Sequence, residues 1–128
     1  MPQLDIALRE GTFYVGGNLV EGSLGIRDGR IVDIASDDSS VGDAKVDIPL
    51  EGKIALPGLI DMHVHSRDLE HGYKETFTTA TRAAAAGGVT TICDMPNTLP
   101  PTTTAERYRE KVAVAKDQVY VDFAIWGG

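Results

Sequence analysis

Hydrophobic and polar positions along this 128-residue chain follow two different periods. In the first half, apolar residues come in short alternating runs. Leu4, Ile6 and Leu8 alternate with more polar neighbours, the period of a half-buried strand. Thr12-Phe13-Tyr14-Val15 is β-favouring and runs into a turn at Gly16-Gly17-Asn18. Leu24-Gly25-Ile26 and Arg30 to Ile34 flank Asp28-Gly29, a dipeptide that readily takes the positive φ angles of a tight hairpin. Ser36 to Asp43 reads as a polar loop, and Val46-Asp47-Ile48 as another short strand. No helix is needed before about Lys53.

After Leu56-Pro57-Gly58 the period changes. Leu59 to His65 is a strand-length apolar run, followed by a predicted helix from about Glu75 to Ala86. Gly87-Gly88 stops that helix, since glycine supplies the left-handed residue that commonly closes one. Val89 to Cys93 is rich in β-branched residues and predicts the next strand. Pro96, Pro100 and Pro101 force a loop. Thr103 and Glu106 have capping-box spacing, and Ala105, Tyr108, Val112 and Ala115 recur at helical spacing to about Lys116. Val119 to Ile125 is the third strand of this half.

Strands alternating with helices of this length predict parallel pairing through right-handed crossovers. The expectation is therefore α/β: a β-rich region over 1–54, then three parallel strands and two helices over 55–128. If these strands belong to a parallel barrel, the active site lies at their carboxyl ends. His63 and His65 fall at the end of the first strand, and Asn97 just beyond the second. Three parallel strands leave two open edges, so this reading expects a truncated barrel, the N-terminal piece of a longer protein.

Charge and cysteine usage narrow the classes. Twelve basic residues against 19 acidic ones leave a net charge of −7, which argues against binding a phosphate backbone. Cys93 is the one cysteine, so no intrachain disulfide forms, which fits a reducing compartment; its apolar neighbours mark a buried structural thiol. Neither a signal segment nor a membrane-spanning apolar run stands out, so a cytoplasmic protein is expected, with no nucleic-acid or membrane partner.

Residues two apart on a strand point to the same face, so His63 and His65 have Cβ atoms roughly 6.5–7 Å apart. Two imidazoles at that spacing can meet one metal ion, with nitrogens about 2.0–2.1 Å from it. A bare His-x-His is also compatible with two exposed or hydrogen-bonded histidines. Its place at the end of an apolar strand, after Pro57-Gly58 and near Asp61 and Arg67, favours the metal. His71 falls in a predicted loop, as a surface or substrate-loop residue.

Leu56 to His65, with Arg67 two residues on, resembles the first barrel strand of the amidohydrolase superfamily. Arg82 to Thr91, Asp94-Met95-Pro96-Asn97-Thr98 and Pro100-Pro101-Thr102 resemble its dihydroorotase branch, and the earlier strands its small flanking β-sandwich domain. The resemblance implies a metal-dependent (β/α)8 barrel preceded by part of that sandwich. It implies His63 and His65 as ligands of zinc, one or two ions in the complete enzyme, and Arg67 and Asn97 as holders of the substrate's carboxylate. Further ligands and a catalytic aspartate are expected from later strands, with none of the catalytic groups in this chain. Asp61 and Asp94 are expected to serve as structural hydrogen-bond acceptors.

Two departures bear on the substrate: Ser66 stands where the family commonly has an aromatic residue, and Leu69-Glu70-His71-Gly72-Tyr73 replaces a loop richer in proline and glycine. The implied activity is reversible interconversion of N-carbamoyl-L-aspartate and dihydroorotate in pyrimidine synthesis, with this chain alone inactive. Allantoinase, a dihydropyrimidinase- or hydantoinase-like enzyme, and a non-catalytic interaction subunit are the alternatives. Partners expected are the small-molecule substrate, and either a second copy of the chain or other pyrimidine enzymes.

Overall fold

The structure, a computed structural model, describes residues 3–36 and 41–128; residues 37–40 of the expected polar loop lie outside the described residues. The chain divides into two compact units, Met1–Pro57 and Gly58–Gly128.

The first unit is a five-stranded mixed sheet. Strands β1 (Leu4–Val15), β2 (Asn18–Arg27), β3 (Arg30–Ala35) and β4 (Ala44–Pro49) lie in the order β3-β2-β1-β4, and β5 (Ile54–Ala55) pairs with the far end of β1. β1 runs antiparallel to β2 and parallel to β4 and β5. The two predicted runs at Leu4–Leu8 and Thr12–Val15 are thus one strand, interrupted by a register shift between Leu8 and Gly11 where Glu10 turns left-handed at φ 52°. Such bulges bend a strand without ending it, which is why the pattern alone shows two pieces. The predicted hairpin forms at Asp28 (φ 52°) and Gly29 (φ 69°), both in the region a two-residue primed turn requires. Burial departs from simple alternation. Leu4 and Ala7 are buried with Val41, whereas Ile6 and Leu8 are only half-buried.

The second unit is a parallel three-stranded sheet, β6 (Leu59–Val64), β7 (Val89–Asp94) and β8 (Asp122–Ile125), in that order. Helices α1 (Phe77–Ala86) and α2 (Ala105–Ala115) form the crossovers. β8 is shorter than the run Val119 to Ile125, and α1 begins two residues later than Glu75. Thr76 caps α1 in a capping box with Thr79, each hydroxyl accepting from the other's backbone N–H. After α1 the left-handed residue is Gly88, at φ 79°. At α2 the cap is Thr104, which accepts from Arg107 N, and not Thr103. The helix starts one residue later than the Thr103–Glu106 spacing suggests, so Glu106 lies in its first turn but closes no box.

Phe77 and Ile92 lie at the centre of this unit, with Phe77 edge-on to Phe123 at 5.2 Å. The face that α2 buries is a further difference from the sequence reading. Tyr108 and Val112 are exposed, while Lys111 and Ala115 are buried. A carboxylate on β7 draws the lysine inward, as described below. No helix among the described residues is long and apolar enough to cross a membrane.

Candidate functional site

The carboxyl ends of β6 and β7 bring together the residues singled out above. Asp61 accepts from the backbone N–H of His63 at 3.0 Å, and Trp126, just past β8, donates its indole N–H to Met62 O at 3.1 Å. These bonds hold both polar groups of the peptide that leads into His63. His63 and His65 are exposed, and their rings meet edge to face with centroids 5.2 Å apart.

Asn97, in the loop after β7, places its side-chain oxygen 2.8 Å from His65 Nδ1. An amide oxygen can only accept, so His65 Nδ1 is the donor in this contact and Nε2 is the nitrogen left to meet a metal. Metal-binding imidazoles characteristically have their other nitrogen fixed by such an outer partner. Two adjacent imidazoles, one already oriented, fit half of a zinc shell. No group of three or more His, Cys, Asp or Glu side chains converges among the described residues, so a three-ligand catalytic shell is not completed by them.

Between the histidines and Arg67 lies a polar network that is fully enclosed. Asp94, the last residue of β7, is 0% exposed and Lys111 on α2 is 1% exposed; their side chains form an ion pair. The same carboxylate accepts from Ser66 N at 2.8 Å and from the Ser66 hydroxyl at 2.5 Å. Lys111 also donates to Met95 O at 3.0 Å. Met95 N donates to Val64 O, and Trp126 N donates to Asp94 O, both at 2.9 Å. Asp94 thus joins all three strand ends and α2. Its structural role agrees with the sequence reading; Lys111 was missed because it interrupts an apolar helical stripe.

Arg67, Asp68 and Leu69 follow in left-handed conformations, at φ 61°, 39° and 52°. Non-glycine residues in that region cost of order 1–3 kcal/mol each and persist only where surroundings hold them. Asp68, itself buried, does part of the holding: it accepts from Leu69 N at 2.5 Å and from Phe77 N, at the start of α1, at 2.6 Å. Arg67 is half-buried, and its side chain has no hydrogen-bond or ion-pair partner among the described residues. His71 sits in a one-turn 3-10 helix, Leu69–His71, edge-on to Tyr73. Cys93 is buried, its thiol 3.5 Å from the Met62 sulfur, as a structural thiol should be.

Comparison with known proteins gives a consistent result. The amidohydrolase family model matches residues 54–128. A dihydroorotase of Pyrococcus abyssi is 42% identical over 115 residues, covering 90% of this chain and 28% of that protein. An allantoinase of Streptomyces avermitilis is 39% identical over 129 residues, covering 100% of this chain and 29% of that protein. Among solved structures, the L-hydantoinase (dihydropyrimidinase) of Arthrobacter aurescens superposes with a TM-score of 0.91 at 35% identity, covering 98% of this chain and 28% of that one. The chain therefore spans less than a third of the length of these relatives. Its α/β architecture is that of their N-terminal part.

Proposed function

The chain belongs to the amidohydrolase family, and from that premise we propose that it supplies the first strands of a zinc-dependent cyclic amide hydrolase, a dihydroorotase. The observation that carries this reading is the His63–His65 pair at the end of β6, with His65 oriented by Asn97. His63 and His65 would hold a zinc ion there through one ring nitrogen each, and the ion would supply an activated water and a Lewis acid for the amide carbonyl. Arg67, without a side-chain partner among the described residues, presents a planar guanidinium that can grip a carboxylate with two parallel hydrogen bonds. Asn97 can serve both ends: its oxygen accepts from His65 while its NH2 group donates to the same carboxylate. Fixing the carboxylate would hold the ring amide in one orientation, and such positioning lowers the barrier.

The substrate reading rests on Met95-Pro96-Asn97-Thr98 and on the dihydroorotases among the similar proteins. In that reading the enzyme interconverts N-carbamoyl-L-aspartate and dihydroorotate in pyrimidine synthesis. An allantoinase or hydantoinase is the second reading, favoured by the full coverage of this chain in the allantoinase match and by the L-hydantoinase superposition.

Assaying the full-length gene product on dihydroorotate, allantoin and hydantoin separates the readings. Dihydroorotate is expected to be turned over best, and preference for another ring transfers the assignment. His63→Ala should lose stoichiometric zinc and at least about a hundredfold in turnover, more than the 10–100-fold expected from removing an outer partner of a ligand. Retention of both zinc and turnover would sink the metal assignment. No turnover of any ring by zinc-loaded protein would leave the non-catalytic interaction subunit.

A further inference from the structure

The Asp94–Lys111 pair sits where stability alone gives little reason for it. A buried ion pair is often no better for stability than apolar residues of the same volume, because desolvating both charges offsets their attraction. This pair nevertheless replaces what would be an apolar contact between α2 and β7. The residue after His65, Ser66, is bonded to the pair directly: its N–H and its hydroxyl both end on the Asp94 carboxylate. Ser66 is 1% exposed and lies directly between His65 and Arg67. The next three residues are left-handed, and the stretch is held at its other end by Asp68. Arg67 is therefore the first residue of a strained stretch clamped between two buried carboxylates, and its side chain has no partner among the described residues.

We propose that Asp94 and Lys111 are positioning residues: acting through Ser66, the buried pair sets the left-handed backbone at Arg67 and so aims its guanidinium at the substrate's carboxylate. The proposal rests on the carboxylate-binding reading of Arg67 given above. The lysine holds the Asp94 side chain in place and is itself anchored on Met95 O. Held there, the carboxylate accepts both Ser66 donors on one oxygen. A neutral residue at 111 removes the group that fixes the carboxylate, which is then free to turn away and loosen Ser66.

The test is steady-state kinetics of the full-length, zinc-loaded protein on dihydroorotate, with dihydrouracil, the same ring lacking the carboxylate, as a competitive inhibitor. Ser66→Ala and Lys111→Met are each expected to raise KM for dihydroorotate about tenfold, within the loss that a small misplacement of a binding group produces. Zinc content and the inhibition constant of dihydrouracil should stay at wild-type values. KM unchanged in both variants overturns the proposal. So does a parallel rise in KM and in the dihydrouracil constant, which marks general disorder of the site. Ser66→Ala removes only a hydroxyl and carries the test alone if Lys111→Met does not fold. Arg67→Ala is the control: wild-type KM there refutes the carboxylate reading itself, and the positioning role with it. An impaired Arg67→Ala beside normal Ser66→Ala and Lys111→Met refutes positioning alone.

Discussion

The two units handle polar groups in opposite ways. Among the described residues of the first unit, the one polar side chain classed as buried is Ser23, and the charged pairs Arg9–Asp47 and Lys45–Asp5 lie at least partly in solvent. The second unit buries Ser66, Asp68, Thr81, Asp94, Thr98, Thr102 and Lys111. Five of these seven lie at or after the carboxyl ends of β6 and β7. Enclosing a polar group costs free energy unless every partner is in place, so such groups are kept where they do something besides filling space. The first unit is held together by ladder hydrogen bonds and small apolar contacts. The second places its costliest groups around one end of its sheet.

If that contrast is right, the largest effect on stability comes from breaking the enclosed pair. Lys111→Met in the full-length protein should lose about 3–5 kcal/mol in chemical denaturation, the usual result of leaving one buried charge alone. Lys45→Met should shift the unfolding midpoint far less, because its ion pair with Asp5 lies in solvent. Equal effects from the two would erase the distinction between the units. A smaller effect sharpens the account of the helix next to the site: Thr104→Ala should cost about 1 kcal/mol through loss of the α2 cap, while Thr103→Ala should cost nothing measurable.

The smallest effect concerns the exposed pair in the first unit. The Lys45 ammonium on its carboxylate, helped by the Asp28 N–H, holds Asp5 below the usual carboxylate value of 3.8. Asp5 in turn raises Lys45 above 10.5. A depressed carboxyl contributes stability above its unfolded pKa and loses it as pH falls through the folded value. A raised ammonium contributes below its unfolded pKa and loses it as pH rises through the folded value. The pair's contribution is therefore present from about pH 4 to about pH 10 and absent outside that window. NMR titration of Asp5 should show a midpoint below 3.8 that returns toward the ordinary value in Lys45→Met. An unmoved midpoint would mean that solvent screens even this contact completely.

Much of this arrangement was legible in the residues because it rests on local grammar. Asp28-Gly29 predicts its hairpin through backbone φ preferences, and Gly87-Gly88 predicts the end of α1 for the same reason. Strand alternation with helices predicts the parallel order β6-β7-β8. The cap of α2 was misplaced by one residue because Thr103 and Thr104 are chemically alike, and only the loop path selects between them. The site divides along the same line. His63 and His65 are two apart, so their shared face follows from strand geometry. The contact of Asn97 with His65, 32 residues away, depends on how the loop after β7 returns. Lys111 was least legible. Periodicity assigns an amphipathic helix's inward face to apolar residues, and nothing local shows that Asp94 will draw in a charge 17 positions later. Asp94 itself stood out as a strand-end acceptor; the cation it needs did not.

The enclosed pair also restricts how a sequence of this kind can drift. Losing Lys111 while Asp94 stays, or the reverse, leaves a solitary charge in the interior, so each single step is disfavoured, whereas exchanging both for neutral residues is not. Positions 94 and 111 should therefore change together in diverged relatives, and sequences carrying only one of the two charges should be rare.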